Sequence, residues 1–349
     1  MKELNPNKIK MARQLRCLTM DRLVARMGAH SVSKMAISKI ERGLINPSQH
    51  ILLAIANACM VPVDFFYNDD VRIGNLEFRF KNGTPDRKRK EIEAQVIAAV
   101  QEYMELNSNN PDRITFKNPL KGTTVSNYTE IEQAAELLRK KWNIGLQPIF
   151  SVYELLQDYG IGIIEIEIDC ADVIGLSTFV NRTEPVIIIN SKANLTTERK
   201  RFTALHELAH LLLQFKQLSD SQFATYLQSM PQLPYNVTLK LPDTERLCEC
   251  FASAMLLPGP CVHRRIGQTR SSVHLDELIS VRQTYGISIA ATVHRLHTLR
   301  VIEDSLYHRY FEDIISKNEL ETGWGSFPIQ ETANTVSLLQ LRFCKSLEK

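Results

Sequence analysis

The stretch RFTALHELAHLLL, Arg201 to Leu213, carries His206, Glu207 and His210 in the spacing HExxH. On a helix, residues i and i+4 lie about 40° apart around the axis, so both imidazoles project from one face. Two histidines so placed can hold a zinc ion, and the glutamate between them can reach its water as a general base. Chance alone yields this pattern roughly once in a hundred chains of this length, so the reading needs a third ligand. The downstream segment PDTERLCECFASAMLLP supplies candidates one helical turn apart, Glu245 and Glu249. A catalytic zinc usually takes three protein ligands and leaves its fourth position to water. His206, His210 and Glu245 form that set, and Glu249 is placed to accept the free N–H of a ligand histidine, with an exchange of roles between the two glutamates left open. Cys248 and Cys250 on the same segment are rival thiolate ligands. They are read as small packed residues, because a fourth protein ligand would close the site.

These residues need helices and strands to hold them. The site helix is expected to start at Thr196 or Thr197, with Glu198 at the positive end of its dipole and Phe202, Leu205, Ala209 and Leu212 packed inward. Ahead of it, Thr129 with Glu132 and Ser151 with Glu154 read as capping boxes, and Gly160 as a helix stop. The alternation in IGIIEIEID predicts a half-exposed strand, and PVIIIN a short apolar strand whose Val186–Ile189 edge can hold an extended substrate. Asp243 or Thr244 caps the helix of Glu245, and Pro258 stops it. Residues 128–270 therefore read as an α+β domain of zincin type, and 271–349 as a helical C-terminal region. The long stretch between His210 and Glu245, containing SQFATYLQSMPQLPYN, is expected to form a lid or a docking loop. His294 and His297, three apart, read as solvated histidines, and His263 is not assigned to the site.

The first 67 residues differ in kind. They hold 10 Lys/Arg against 4 Asp/Glu, although the whole chain of 349 residues carries only +3. A local basic excess suggests a polyanionic partner. Apolar residues recur here at helical spacing between Gly, Pro and Ser, predicting about five short helices capped by Thr19, Ser33 and Ser48. Their core would gather Leu15, Leu23, Val24, Ile37, Ile40, Leu52, Ile55, Val61 and Phe65. Residues 68–127 form a connector that contains LEFRFK and RKRK. It ends in a helix striped by Ile92, Val96, Val100, Tyr103 and Leu106, suited to interdomain packing or a homodimer seam, and stopped by Ser108 to Asp112. No apolar run reaches the roughly 18 residues of a membrane span. Seven scattered cysteines suit reduced thiols, and the protein is expected in the cytoplasm.

Two resemblances extend this reading. LVARMGAHSVSKMAISKIERGLINPS with LLAIANACMVPVDFF resembles an XRE-type helix-turn-helix domain, with a longer turn from Gly28 to Ser33. The resemblance implies DNA binding, with Ser33, Lys34, Met35 and Ser38 facing bases and Lys39 and Arg42 facing phosphate. YTEIEQAAELLRKKW, GLS at 175–177, PVIIIN, RFTALHELAHLLL, ERLCECFASAMLLP and YGISIAATVHR resemble the ImmA/IrrE metallopeptidase family. That family's ExxANxFA motif falls on Glu245, with Cys248 and Glu249 standing where it prefers Ala and Asn. The family implies a zinc endopeptidase whose protein substrate is a helix-turn-helix repressor. The alternative is a DNA-binding regulator whose zincin-like domain senses metal or a partner without proteolysis. The expected fold is multidomain: an all-α helix-turn-helix bundle, then an α+β zincin-like metallopeptidase domain, then a helical C-terminal region.

Overall fold

The computed structural model describes residues 3–16, 18–67, 85–107, 114–193, 195–230 and 239–333. LEFRFK, the helix stop at 108–112, the end of the SQFATYLQSMPQLPYN stretch and the tail from 334 lie outside them, as do the side chains of Leu15 and Leu106. Among the described residues no helix is long and apolar enough to cross a membrane.

The N-terminal bundle contains α1 (Pro6–Leu15), α2 (Met20–Arg26), α3 (Lys34–Glu41) and α4 (Gln49–Cys59), and the fifth expected helix is a 3-10 turn, Val63–Tyr67. Thr19 and Ser33 cap α2 and α3 by accepting from Arg22 N and Ala36 N, while Ser48 holds the cap position of α4 without a side-chain bond. Leu23, Ile37, Ile40, Leu52, Ile55 and Val61 are buried as expected, with Ile9 and Ala12 of α1 added. Phe66 is fully buried, whereas Phe65 lies partly exposed beneath the Lys8 ammonium.

Helix α5 (Asp86–Asn107) joins the two halves of the chain. Lys8 of α1 donates to Gln101, and Ile92, Val96 and Val100 lie against Ile164, Ile166, Val186 and Ile188. Ile92, Val96 and Val100 of the apolar stripe are therefore packed within one chain, the interdomain packing expected of it.

The C-terminal body is built on a three-stranded sheet in the order β2 (Gly162–Ile166), β4 (Glu184–Asn190), β3 (Gly175–Val180), with β2 parallel and β3 antiparallel to β4. Alternate residues face opposite sides, so Ile164 and Ile188 meet α5 while Ile163 and Ile187 face the inner core. This corrects two expectations. β2 is not half exposed, because α5 covers its second face. The Val186–Ile189 strand has no free edge, because β4 is paired on both sides.

On the inner face lie α6 (Tyr128–Lys141), α7 (Val152–Asp158), α8 (Thr197–Leu212), α9 (Asp220–Ser229), α10 (Thr244–Leu256), α11 (Gly259–Arg265), α12 (Leu275–Tyr285), α13 (Ile289–Thr298) and α14 (Asp304–Tyr310). Short strands β1 (Thr124–Val125) and β5 (Gln214–Phe215) pair beside the end of α8. Asn127, not Thr129, caps α6, accepting from Glu130 N at 3.0 Å, and Glu132 instead receives both Nη atoms of Arg295. Ser151 caps α7 as expected. One continuous core runs from Leu120 to Ile315, so the helices after residue 270 share the interior of the C-terminal body.

Candidate metal centre

Thr196 starts α8, its hydroxyl accepting from Arg199 N at 3.2 Å. Leu205, Leu208, Ala209 and Leu212 are buried in the core, which fixes the helix in rotation and turns the other side towards a cleft of about 640 Å³. Phe202, Thr203, His206, Glu207 and His210 line that cleft from α8, and Leu176 to Phe179 line it from β3. Phe202, expected inside, is partly buried against the core and also lines the cleft. The close approach of strand and helix depends on Gly175, where a Cβ would lie 2.5 Å from Thr203 Cγ2.

That approach brings Ser177 to Glu207, the Ser177 Oγ donating to Oε2 at 2.8 Å. Strand β3 and this contact were absent from the sequence reading, which used the GLS at 175–177 only as part of a resemblance. The available signal was weak: GLSTFV supplies β-branched and aromatic residues after a glycine but no alternation of residue type, and only the burial alternates.

The second half of the site comes from α10, whose cap Asp243 accepts from Arg246 N at 2.8 Å and thereby fixes where the first turn begins. Glu245 in that turn faces both histidines. Its Oε2 lies 3.1 Å from His206 Nε2, its Oε1 3.4 Å from His210 Nε2, and the two Nε2 atoms are 3.3 Å apart. A zinc ion held tetrahedrally at about 2.0–2.1 Å has ligand atoms roughly 3.3–3.4 Å from one another. The three separations are close to those edges, although the two histidines approach different oxygens of the Glu245 carboxylate, and the donor chemistry, two imidazoles and a carboxylate, suits zinc. All three side chains are between 15 and 30% exposed, so the point they face is open to the cleft.

A second donor set shares the histidines: one nitrogen of each and Cys248 Sγ lie within 4.8 Å of one another. The Sγ contact to His210, however, is made at Nδ1, 3.7 Å away. The two nitrogens of one imidazole point in different directions, so the ring that aims Nε2 at Glu245 offers Nδ1 to the thiol. The carboxylate set is the convergent one, and the thiol stands behind it. Cys250 is buried, and burial pushes its thiol up to about 12, as expected of a packed residue.

Glu249 does not meet a histidine. Its hydrogen bond comes from Arg246 Nη1 at 3.1 Å, one turn back on the same helix, and the outer position at His210 belongs to Cys248. His294 and His297 are not solvated: Tyr307 Oη lies 2.8 Å from His294 Nδ1, and Asp304 Oδ1 lies 2.7 Å from His297 Nε2. Burial holds His294 down to about 4, so it is neutral near pH 7. His263 is exposed and does not line the cleft. The described part of the stretch between His210 and Glu245 forms α9, which docks on α6 through Tyr226 and Thr129 and does not wall the cleft.

In the N-terminal bundle, Ser33, Lys34, Met35, Lys39 and Arg42 are exposed and Ser38 half-buried, with Met35 69% accessible. Lys8, Arg13 and Arg16 are engaged inside the protein by Gln101, Glu41 and the carbonyls of Cys59 and Met60. Arg22, Arg26, Lys39 and Arg42 are exposed cations on or beside α2 and α3, whereas Lys34 pairs with Asp21 at 2.8 Å.

Residues 156–297 match the peptidase M78 family model, described as IrrE N-terminal-like domain, and residues 9–66 match a model described as helix-turn-helix. A search of curated proteins returns no match.

Proposed function

We propose, from the match of residues 156–297 to the IrrE-like peptidase M78 model and of residues 9–66 to the helix-turn-helix model, that the chain is a zinc endopeptidase of that family that cuts a helix-turn-helix repressor and itself binds DNA. The observation that carries this reading is the convergence of His206, His210 and Glu245 at tetrahedral-edge separations beside a glutamate fixed by Ser177. His206, His210 and Glu245 are the proposed ligands. When bound, zinc makes water acidic near neutral pH and polarises the scissile carbonyl.

The chain's own residues supply the rest. Glu207 takes the proton from the attacking water on its carboxylate and returns it to the leaving amine. Ser177, by donating to Oε2, holds that carboxylate towards the cleft. The substrate lies along β3. Asn190 N donates to Ile174 O, and the antiparallel register alternates from that pair, so the backbone groups of Gly175, Ser177 and Phe179 point away from β4 to the free edge. An extended peptide can pair with them and lay its side chains between Phe179, Phe202 and Phe215.

The N-terminal domain is proposed to set α3 in the major groove, with Ser33, Lys34, Met35 and Ser38 towards bases and Lys39 and Arg42 towards phosphate. Ser33 also caps α3, so its hydroxyl contributes to helix geometry as well. A DNA partner and reduced cysteines support a cytoplasmic setting.

A sensor that cuts nothing needs the ligands but no base, so the held Glu207 supports the peptidase. Incubating the zinc-loaded protein with a small helix-turn-helix repressor encoded beside it tests the reading. A single cut is expected, lost in Glu207→Gln while zinc content stays at one per chain. Cleavage that survives Glu207→Gln, or zinc binding that never yields a cut, would overturn it.

A further inference from the structure

Cys248 stands one turn after Glu245 on the inner face of α10, fully buried, with Sγ 3.7 Å from His210 Nδ1. Three features give that contact a direction. His210 turns its other nitrogen, Nε2, to Glu245 and His206, so as a ligand through Nε2 it carries its ring proton on Nδ1. The atom beside Nδ1 is a sulfur with acceptor capacity, at a length normal for a bond to its large radius. Glu249, the neighbouring carboxylate that could have competed, is bonded to Arg246.

We propose that Cys248 is the positioning residue of the centre: its sulfur accepts the Nδ1–H of His210 and so fixes the ring rotation and tautomer in which Nε2 faces the metal. The proposal rests on His210 being a ligand. Because Glu245 and Cys248 share α10, one rigid helix supplies both the third ligand and the partner that orients the second. A shift of α10 along α8 would loosen both contacts at once. Histidine ligands held by an outer partner in this way typically lose 10- to 100-fold in metal affinity when the partner is removed. Sulfur is a weak acceptor, which places Cys248 at the lower end of that range.

The test measures zinc affinity of the full chain by competition with a chromophoric chelator, together with the visible and near-ultraviolet spectrum of the cobalt(II)-loaded protein. Cys248→Ala is expected to weaken zinc binding about tenfold, and Cys248→Ser, which restores an acceptor, to recover part of that loss. Cys250→Ala, a buried cysteine on the same helix without a histidine contact, lowers thermal stability but leaves affinity at the wild-type value. Histidine ¹⁵N spectra of the zinc-loaded protein should show a protonated Nδ1 on His210 in wild type. Equal affinity in Cys248→Ala and wild type overturns the proposal, as does an equal loss in Cys250→Ala. A sulfur-to-cobalt charge-transfer band also overturns it, by making Cys248 a ligand. Failure of the underlying site reading looks different: His210→Ala would then bind zinc as tightly as wild type.

Discussion

The two faces of α8 carry charged groups under opposite rules. On the inner face, Arg201 is fully buried and donates to Glu331 at 2.5 Å and to the carbonyls of Ile149 and Phe150, with Phe327 packed 4.2 Å over the guanidinium. Burial lowers the Arg201 pKa, and Glu331 offsets that effect. A turn earlier, burial would raise Glu198, but hydrogen bonds from Arg282 and Phe327 N hold its carboxyl below the usual range. Every charge on that face has its countercharge inside the protein. On the cleft face, His206 and His210 turn with Glu245 of α10 towards one partly exposed point, three groups with lone pairs. Charge completed internally anchors the helix, whereas a convergent set of donors asks for a cation from outside.

The comparison breaks most sharply if the anchoring face tolerates change. Glu331→Ala leaves the Arg201 charge buried and uncompensated, an expected loss of about 3–5 kcal/mol in urea unfolding. A loss below about 1 kcal/mol would remove the distinction between the faces. The cleft face should behave in the reverse way. Glu207→Gln is expected to lower cleavage by roughly 10²- to 10⁴-fold with an unfolding midpoint equal to wild type.

A third measurement uses pH. His294 has a folded pKa of about 4 against 6.5 for the free side chain, because it is buried. The unfolded chain then binds the proton more readily, so this contribution to stability is present above pH 6.5 and is lost as pH falls towards 4. Between pH 6.5 and 5 the loss is about 2 kcal/mol, visible as a falling urea midpoint. His294→Phe should flatten that slope, and an unchanged slope would show that His294 is hydrated. The smallest expected effect is that of Ser177→Ala, about 1 kcal/mol in the barrier or roughly fivefold in kcat.

Much of the site was legible along the chain because helical spacing is local. His206, Glu207 and His210 sit on one helix, and the next strong helix signal, from Asp243, carried Glu245. The caps at Thr19, Ser33, Ser151, Thr196 and Asp243 were legible for the same reason, each being a side chain bonded to a backbone N–H three residues on. Thr129 misled because Asn127, two residues earlier, makes the same kind of bond.

What lies across the chain was not legible. Nothing in IGIIEIEID shows that α5, some 70 residues earlier, would cover its second face, and nothing in PVIIIN shows that β3 would take its edge. Glu249 and Cys248 are adjacent in sequence, and both were within reach of a histidine on spacing alone. The side chains point about 100° apart around the helix, and only the packing of α10 on α8 decided that sulfur, not carboxylate, would stand behind His210. The sequence by itself determined which residues could bind metal and move a proton, since that follows from side-chain chemistry and helical period. The tertiary structure alone decided which of them meet, because contacts such as Ser177 to Glu207 depend on where two separate elements are pressed together by a common core.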